Sequence, residues 1–375
     1  MKTNNLISYE KTILQQIILD ELEIGDTIPS VRNLQARLGL SRNSVLAALR
    51  SLQKKNIILK GDSPRQGYTL CQKIDTTSTP YTDREITVQY LLPFTTWNYT
   101  INKYLSSFEN AFSRHGINLV FSNTHNSVEE ERHILESIYA KPSSTQPDYL
   151  FLTTCDSTTN PNVSLLQDIC AQIPLVLIDR YIHGIKTHYI GVCNSSIGTQ
   201  TANHLLQKNH YHIAYIKAYN KISPIQDRFL SFRNTLEENG VALDPQNIFT
   251  FTRTNIGSIT DIQSEVDSIG TQLLSLSPRP SAVVCSFDRI AVALINFLLK
   301  NSIRIPEDIC VIGCDNDVDV STMSPLSLTT FRHPYHECAR EAIQCIESIQ
   351  NGSATPHSAE YFSELLIGAS TDFTR

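Results

Sequence analysis

The chain has 375 residues, 41% of them hydrophobic and 18% charged, with a net charge of −6. That length is too great for one average core, so two or three domains are expected. No run approaches 18 consecutive apolar residues, which speaks against a membrane-spanning helix. The opening MKTNNLISYEKT has no apolar signal core and no small-residue cleavage site, so a cytoplasmic location is expected. The nine cysteines include no CxxC pair, and Cys310 and Cys314 lie four apart across a strand and a Gly turn, poor geometry for a bridge or metal pair. Reduced, buried thiols are the reading that follows.

The charge is unevenly distributed. Residues 28–73 hold nine Lys or Arg (Arg32, Arg37, Arg42, Arg50, Lys54, Lys55, Lys60, Arg65 and Lys73) against the single Asp62, a local +8 in an acidic chain. A basic module on an acidic body is the electrostatic footprint of a nucleic-acid binder.

Helical spacing begins with Tyr9, Ile13, Ile17 and Leu22 and breaks at Gly25. Ser30, after Pro29, can cap a second helix whose inner face is Val31, Leu34 and Leu38, ended by Gly39. Ser41 then caps a third, with Val45, Ala48, Leu49 and Leu52 facing inward and Arg42, Asn43, Leu46, Ala47 and Arg50 outward. Two short helices around a Gly-containing turn make a helix-turn-helix, whose second helix meets base edges with its N-terminal residues. Ile57–Leu59 and Tyr68–Leu70 around GDSPRQG then form a hairpin, a wing tipped by Arg65 and Gln66.

The segment GDTIPSVRNLQARLGLSRNSVLAALRSLQKKNIILKGDSPRQGYTL resembles the winged-helix DNA-binding domain of GntR-family regulators. The features in common are Pro-Ser-x-Arg at the second helix, Ser-Arg at the start of the third, the Ala-Leu pair and the wing Gly. The resemblance implies DNA contacts at Arg32, Arg42 and Ser44, with Gly67 letting the wing approach the backbone. Asn43, Arg50, Arg65 and Gln66 join the candidates by position. Leu46 stands where many relatives have Arg, so operator preference does not carry over.

CQKIDTTSTPYTDRE, 71–85, is polar and Thr-rich and reads as a linker, placed at 74–84. The expected domains are thus a winged helix at 1–73 and a body at 85–375. In the body, near-continuous apolar β-rich runs at 86–92, 117–121, 148–154, 174–179, 188–192, 212–218, 282–287 and 309–314 alternate with helical stretches. That pattern indicates α/β architecture with parallel sheets covered on both faces. LSSFENAFSRHGINLVF and FLSFRNTLEENGVALD each read as a helix, a Gly cap and a re-entry strand, an echo that two similar lobes would produce.

Ligands of such sheets sit beyond the carboxyl ends of the strands. The residues there are Phe94, Trp97 and Tyr99, then Asp179 and Arg180, Asp227 and Arg228, Asp288, and Asp315 and Asn316. Carboxylates and Arg form charge-assisted hydrogen bonds to hydroxyls, and aromatic faces stack on sugar C–H faces. The segments PLVLIDRYIHGIKTHYIGVCNSSIGTQTANHLL, QDRFLSFRNTLEENG, SAVVCSFDRIAVALINFLLKNSIRIPEDICVIGCDND and PLSLTTFRHPYHECAREAIQCI are similar to the effector domain of LacI-family repressors. That resemblance implies a two-lobed, periplasmic-binding-protein-like fold. The lobes are set at about 85–191 with 317–337, and about 192–316 with 338–375. It also implies effector contacts at Asp179, Arg228 and Asp315. Asp288 matches the second residue of the family's Asn-Asp pair, whose Asn is Phe287 here, and Gly368 replaces the usual Arg after the final aliphatic run. Phe94, Trp97 and Tyr99 complete the effector set. The eleven histidines show no metal-ligand spacing, and neither metal nor cofactor is expected.

The pairing of the two domains resembles arabinose-repressor-type regulators. It implies a sugar-responsive repressor that binds a palindromic operator in double-stranded DNA as a homodimer, away from membranes, and is released by a pentose or deoxyhexose. Two other readings are a sugar-processing enzyme using paired carboxylates such as Asp179 and Asp288, and a sugar-binding protein without a regulatory role. The chain has no phosphate loop or nucleophile motif to support the first, and the attached basic helix-turn-helix opposes the second.

Overall fold

A computed structural model describes residues 9–10, 12–14, 16–17, 20, 22, 24–55, 57–61, 67–71, 86–95, 98–218, 221–253, 258–317, 321–353 and 355–373. Arg65, Gln66, Trp97 and the expected linker 74–84 lie outside the described residues. The chain divides into two compact units, Met1–Glu85 and Ile86–Arg375.

In the first unit the described residues between 9 and 17 are helical. Helix α1 (Val31–Leu38) follows the N-cap Ser30, whose side chain accepts the Asn33 amide, and stops at Gly39. Helix α2 (Arg42–Lys54) is capped by Ser41, which accepts the Ser44 amide. Strands β1 (Ile58–Lys60) and β2 (Tyr68–Leu70) pair antiparallel, and Thr27 bridges Thr69 along the outer side. The apolar stripes read from the sequence converge: Ile13, Ile17, Leu34, Val45, Leu49, Leu52, Ile58 and Leu70 form one buried cluster.

The second unit contains two parallel sheets. The first has six strands in the order β13-β7-β6-β5-β3-β4: β3 (Ile86–Leu92), β4 (Ile117–Asn123), β5 (Tyr149–Leu152), β6 (Leu175–Ile178), β7 (His188–Val192) and β13 (Ser358–Tyr361). The second has four in the order β11-β10-β8-β9: β8 (Ile213–Ala218), β9 (Ile248–Phe251), β10 (Ala282–Cys285) and β11 (Cys310–Ile312). Strand β5 shows why apolar runs make such sheets. Tyr149 and Phe151 enter a core with α3 (Tyr99–Ser113) and α10 (Tyr335–Gln350), while Leu150 and Leu152 enter one with α4 (Val128–Tyr139) and α5 (Val163–Cys170). Alternate side chains point to opposite faces, and both faces are dry. The second sheet is covered likewise by α8 (Ile259–Ser275) and α9 (Asp288–Lys300) on one face and α6 (Asn194–Gln207) and α7 (Ser223–Glu238) on the other.

The chain passes between the sheets three times: from β7 to α6, from β11 to α10, and from β13 to the C-terminal segment. The last two passages pair as a short antiparallel ladder of β12 (Thr330–Arg332) with β14 (Glu364–Leu366). The C-terminal segment then returns to the second sheet, where the Val311 amide donates to the Ser370 carbonyl. These connections correct the expected lobe boundaries. Residues 338–350 were placed with the second lobe, yet Cys338, Ala342, Cys345 and Ile346 pack in the core of the first, and β13 pairs with β7 there. Conversely, residues 317–328 were placed with the first lobe, but Leu326 and Leu328 pack on the core of the second and Asp317 is ion-paired to Arg289 of α9. Hydrophobic burial decides both: each segment goes where its apolar face is covered.

Two glycines are fixed by close approach. A Cβ on Gly198 of α6 would lie 2.2 Å from the Arg228 carbonyl oxygen and 2.7 Å from the Phe232 amide nitrogen of α7. One on Gly368 would lie 2.6 Å from the Leu328 carbonyl oxygen, so the backbone leaves no room for a side chain there. No helix among the described residues is long and apolar enough to cross a membrane. Gly198→Ala must push backbone, not a flexible side chain, so it should destabilise the second unit by about 1–3 kcal/mol. Urea unfolding would measure this. An unchanged midpoint would mean that α6 and α7 separate freely.

Candidate functional site

The winged helix offers one exposed cationic end. Arg42 and Asn43 open α2 and are exposed, with Arg32 exposed in the first turn of α1 and Arg50 exposed two turns along α2. The unsatisfied amides at a helix N-terminus add positive potential at the same end. Not every basic residue is available to a partner: Arg37 is ion-paired to Asp20 at 2.7 Å, and Lys55 pairs with the buried Glu10. Ser44 is half-buried, and its hydroxyl lies 2.8 Å from that of the cap Ser41, so its first role is to fix the helix start. Gly67 follows the wing tip, and a Cβ there would meet the Thr27 methyl at 3.4 Å, a contact inside the unit.

In the second unit a cleft of about 950 Å³, including its open mouth, lies between the sheets at their carboxyl ends. Tyr99, Asp179, Arg228, Asp288 and Asp315 all line it. The sequence spreads them over 217 positions, and the two sheets bring them together: Asp179 and Asp315 follow strands, Tyr99 and Asp288 open helices, and Arg228 lies in the second turn of α7. Arg228, on α7, is 6% exposed. Its Nη1 donates to Asp315 Oδ1 at 3.3 Å and its Nε to Asn194 Oδ1 at 2.8 Å. Asp179 follows β6 with φ 65° and Asp315 follows β11 with φ 104°, backbone conformations that non-Gly residues rarely adopt and that concentrate at functional sites. Burial pushes the Asp179 carboxyl above its usual range, against the pull of Arg180, Arg228 and His333.

Asp288 lines the cleft but is already engaged. Its Oδ1 accepts the Thr330 hydroxyl at 2.7 Å and its Oδ2 the Asp317 amide at 2.8 Å. Burial pushes its carboxyl well above the usual range and the Asp315 charge adds to this, while the Thr330 hydroxyl and the Asp317 backbone amide pull the other way. It therefore braces the second passage as well as facing the cleft. Phe94 is a correction. Its ring centroid lies 6.0 Å from that of Phe121, it packs on the first-lobe core, and it does not line the cleft. Alternation along the chain sends its neighbours Pro93 and Thr95 there instead.

Sequence reasoning left out several lining groups. Arg180 donates to the Thr154 carbonyl at 2.7 Å, and its buried Nε has no hydrogen-bond partner. Arg289 and Asp317 form a further buried ion pair at 2.9 Å. Ile222, Pro224, Ile225 and Phe287 build an apolar wall. Arg180 stood at a strand end and could have been assigned; the Arg289–Asp317 pair spans a loop and carries no local signal. The cleft thus combines buried charged donors and acceptors with an apolar wall, the combination that recognises polyhydroxylated rings.

On one edge of the cleft the lobes also touch directly. The Ser157 amide donates to the Lys221 carbonyl at 2.7 Å, the Tyr181 amide to Ser223 Oγ at 3.1 Å, and the Tyr181 hydroxyl to Asp227 Oδ1 at 2.9 Å. Asp227, at a strand end in the sequence, is therefore an interlobe contact of α7. Burial raises its carboxyl above the usual range, and the Tyr181 bond opposes this.

The model of the bacterial regulatory proteins of the gntR family matches residues 9–61, and that of the periplasmic binding protein-like domain matches residues 202–371. The arabinose metabolism transcriptional repressor of Halalkalibacterium halodurans is 27% identical over 342 residues, 89% of this chain and 86% of its own. The repressor of the same name from Geobacillus stearothermophilus is 22% identical over 99% of both chains. Among solved structures, the transcription regulator CcpA of Lactococcus lactis superposes with a TM-score of 0.64 at 20% identity, over 77% of this chain and 100% of its own. That likeness shows the fold: the second unit is periplasmic-binding-protein-like, as in LacI-type regulators.

Replacing Arg228 by Ala would leave Asp315 with His333 alone and Asn194 without the guanidinium, a loss of about 3–5 kcal/mol. Arg228→Lys should recover only part of it, because one ammonium cannot span both acceptors. Calorimetric unfolding of both variants checks this, and equal stability of Lys and Arg would show that charge alone suffices.

Proposed function

We propose that this chain, which joins a gntR-family DNA-binding domain to a periplasmic-binding-protein-like domain, is a sugar-responsive transcriptional repressor of the LacI/GalR type. The observation that carries the reading is the buried Arg228–Asp315 pair, set in a polar and apolar interlobe cleft of a chain that also bears an exposed cationic recognition helix. Two relatives that align along most of the chain are named arabinose metabolism transcriptional repressors. The effector in this reading is a free monosaccharide, a pentose or deoxyhexose. Asp179, Arg228 and Asp315 receive its hydroxyls, Asp288 closes the polar floor, and Tyr99, with Trp97 nearby in sequence, covers its ring.

Two copies of the chain bind a palindromic operator in the cytoplasm, each placing α2 in the major groove of one half-site, about 34–36 Å apart. Arg42 and Asn43 reach base edges, while Arg32, Arg50 and the wing residues Arg65, Gln66 and Gly67 hold the backbone, with Ser44 beside them. The sugar binds the closed lobes better than the open ones and so shifts their population. Closure changes the spacing of the two recognition helices, and DNA is released. A coupling of about 1–3 kcal/mol is enough for such control.

A thermal-shift screen of free and phosphorylated sugars tests the effector. At 100 times its dissociation constant the right sugar should stabilise the second unit by about 2.7 kcal/mol. Asp315→Ala should abolish that shift. If every sugar leaves the melting temperature unchanged, the effector belongs to another chemical class. For the DNA side, Arg42→Ala should weaken specific binding by about 1–3 kcal/mol if it reads a guanine. If Arg42 holds a phosphate instead, the salt slope should fall by about one unit for every sequence. Gel-shift titration across salt concentrations separates the two, and no effect of either kind would remove Arg42 from the interface.

A further inference from the structure

Among the described residues, Cys314, Asp315 and His333 bring ligating atoms within 4.8 Å of one another. The surroundings do not suit a cation. The Arg228 guanidinium already occupies Asp315, and burial pushes the Cys314 thiol well above its usual range, against the pull of Arg228. A protonated thiol beside a fixed guanidinium is a poor metal ligand.

What the group does provide is an unbroken polar chain. Ser363 Oγ lies 2.7 Å from His333 Nδ1, and His333 Nε2 lies 3.1 Å from Asp315 Oδ1. The same Asp315 oxygen accepts from Arg228, which also donates to Asn194. Asn194 begins α6 after the first passage between lobes, Asp315 and His333 bracket the second, and Ser363 lies on the third, between β13 and β14. One chain of side chains therefore joins all three passages to the cleft. Ser363, His333 and Asn194 are each 5% exposed or less, so water offers little competition for these bonds. Asp315 is an acceptor, so the hydrogen on His333 Nε2 meets it, while Nδ1 shares the second bond with the Ser363 hydroxyl. The ring also packs edge-on against Tyr335 at 5.7 Å, which limits its rotation. Asp315 and Asn316 hold φ values of 104° and 50°, and such backbone persists only where its surroundings fix it.

We propose that His333 is a positioning residue for effector recognition, and that the Ser363–His333–Asp315 relay carries the state of the cleft to the third passage between the lobes. The proposal rests on the effector reading of the cleft given above. An effector hydroxyl that bonds Asp315 alters how that carboxylate holds His333, and His333 in turn alters its hold on Ser363 and the β12–β14 ladder.

The test uses the full chain with His333→Ala, His333→Gln and Ser363→Ala, and arabinose as probe. Calorimetry gives the affinity, and amide hydrogen exchange gives the protection of residues 313–317 and 361–366. In the wild type, arabinose should slow exchange in both segments. His333→Ala should bind about tenfold more weakly, the scale of one lost hydrogen bond to a charged group, and lose the slowing at 361–366. Ser363→Ala should keep the affinity within about threefold and still lose that slowing. Gln presents a donor and an acceptor at similar reach, so His333→Gln should behave as wild type in both measurements. Wild-type behaviour of His333→Ala overturns the proposal, as does a His333→Gln variant as impaired as Ala. If the wild type binds no arabinose, arabinose is not the effector, and the unliganded proteins decide the relay. Exchange in both segments should then be faster in His333→Ala but not in His333→Gln, and equal rates would sink it. Should His333→Ala fail to fold, Ser363→Ala carries the same comparison.

Discussion

The second unit is organised around one desolvated ion pair. Arg228 and Asp315 are both largely withdrawn from water, and a buried pair survives only when further hydrogen bonds satisfy its remaining atoms. Asn194 takes the Arg228 Nε and His333 takes the shared Asp315 oxygen. Those partners sit where the chain crosses between lobes, so the pair can be satisfied only with the crossings in register. The cost of leaving either charge unpaired ties these crossings to the cleft.

Helix α7 connects this centre to the opposite edge. Its first two turns accept the Tyr181 amide through Ser223 and the Tyr181 hydroxyl through Asp227, and the next residue is Arg228. Its packing against α6 is so close that Gly198 leaves no room for a side chain. The helix that carries Arg228 is thus held near its start by one lobe and along its length by the other.

Much of this was legible in the sequence because hydrophobic burial leaves a periodic trace. The strands buried on both faces were plain as apolar runs, and the Ser30 and Ser41 caps and the inner faces of α1 and α2 followed from spacing alone. Strand β13 was not legible. Its Ser-Ala-Glu-Tyr sequence sits at a sheet edge and is specified by β7, not by its own propensity. Helix α10 was misplaced between lobes because its amphipathic pattern says that one face is covered but not by which sheet. Asp179, Arg228 and Asp315 stood out as charged residues near strand ends and through family resemblance. His333 and Ser363 did not, since a histidine thirty residues before a serine carries no pattern until the β12–β14 ladder brings them together. Phe94 follows the end of β3 and turns to the core, while its neighbours Pro93 and Thr95 line the cleft.

In the proposed function a sugar held by the Arg228–Asp315 cleft controls the grip of the winged helix on DNA. The direct measurement is fluorescence anisotropy of the full chain on DNA selected by it from a random pool, at fixed salt, with and without the sugar that raises its melting temperature. The account predicts that the sugar weakens binding by about 5–150-fold, corresponding to a coupling of roughly 1–3 kcal/mol. It also predicts that Asp315→Ala still binds the DNA but no longer responds. Sugar binding that leaves the DNA affinity unchanged would contradict it, because the cleft would then be a binding site without a regulatory output.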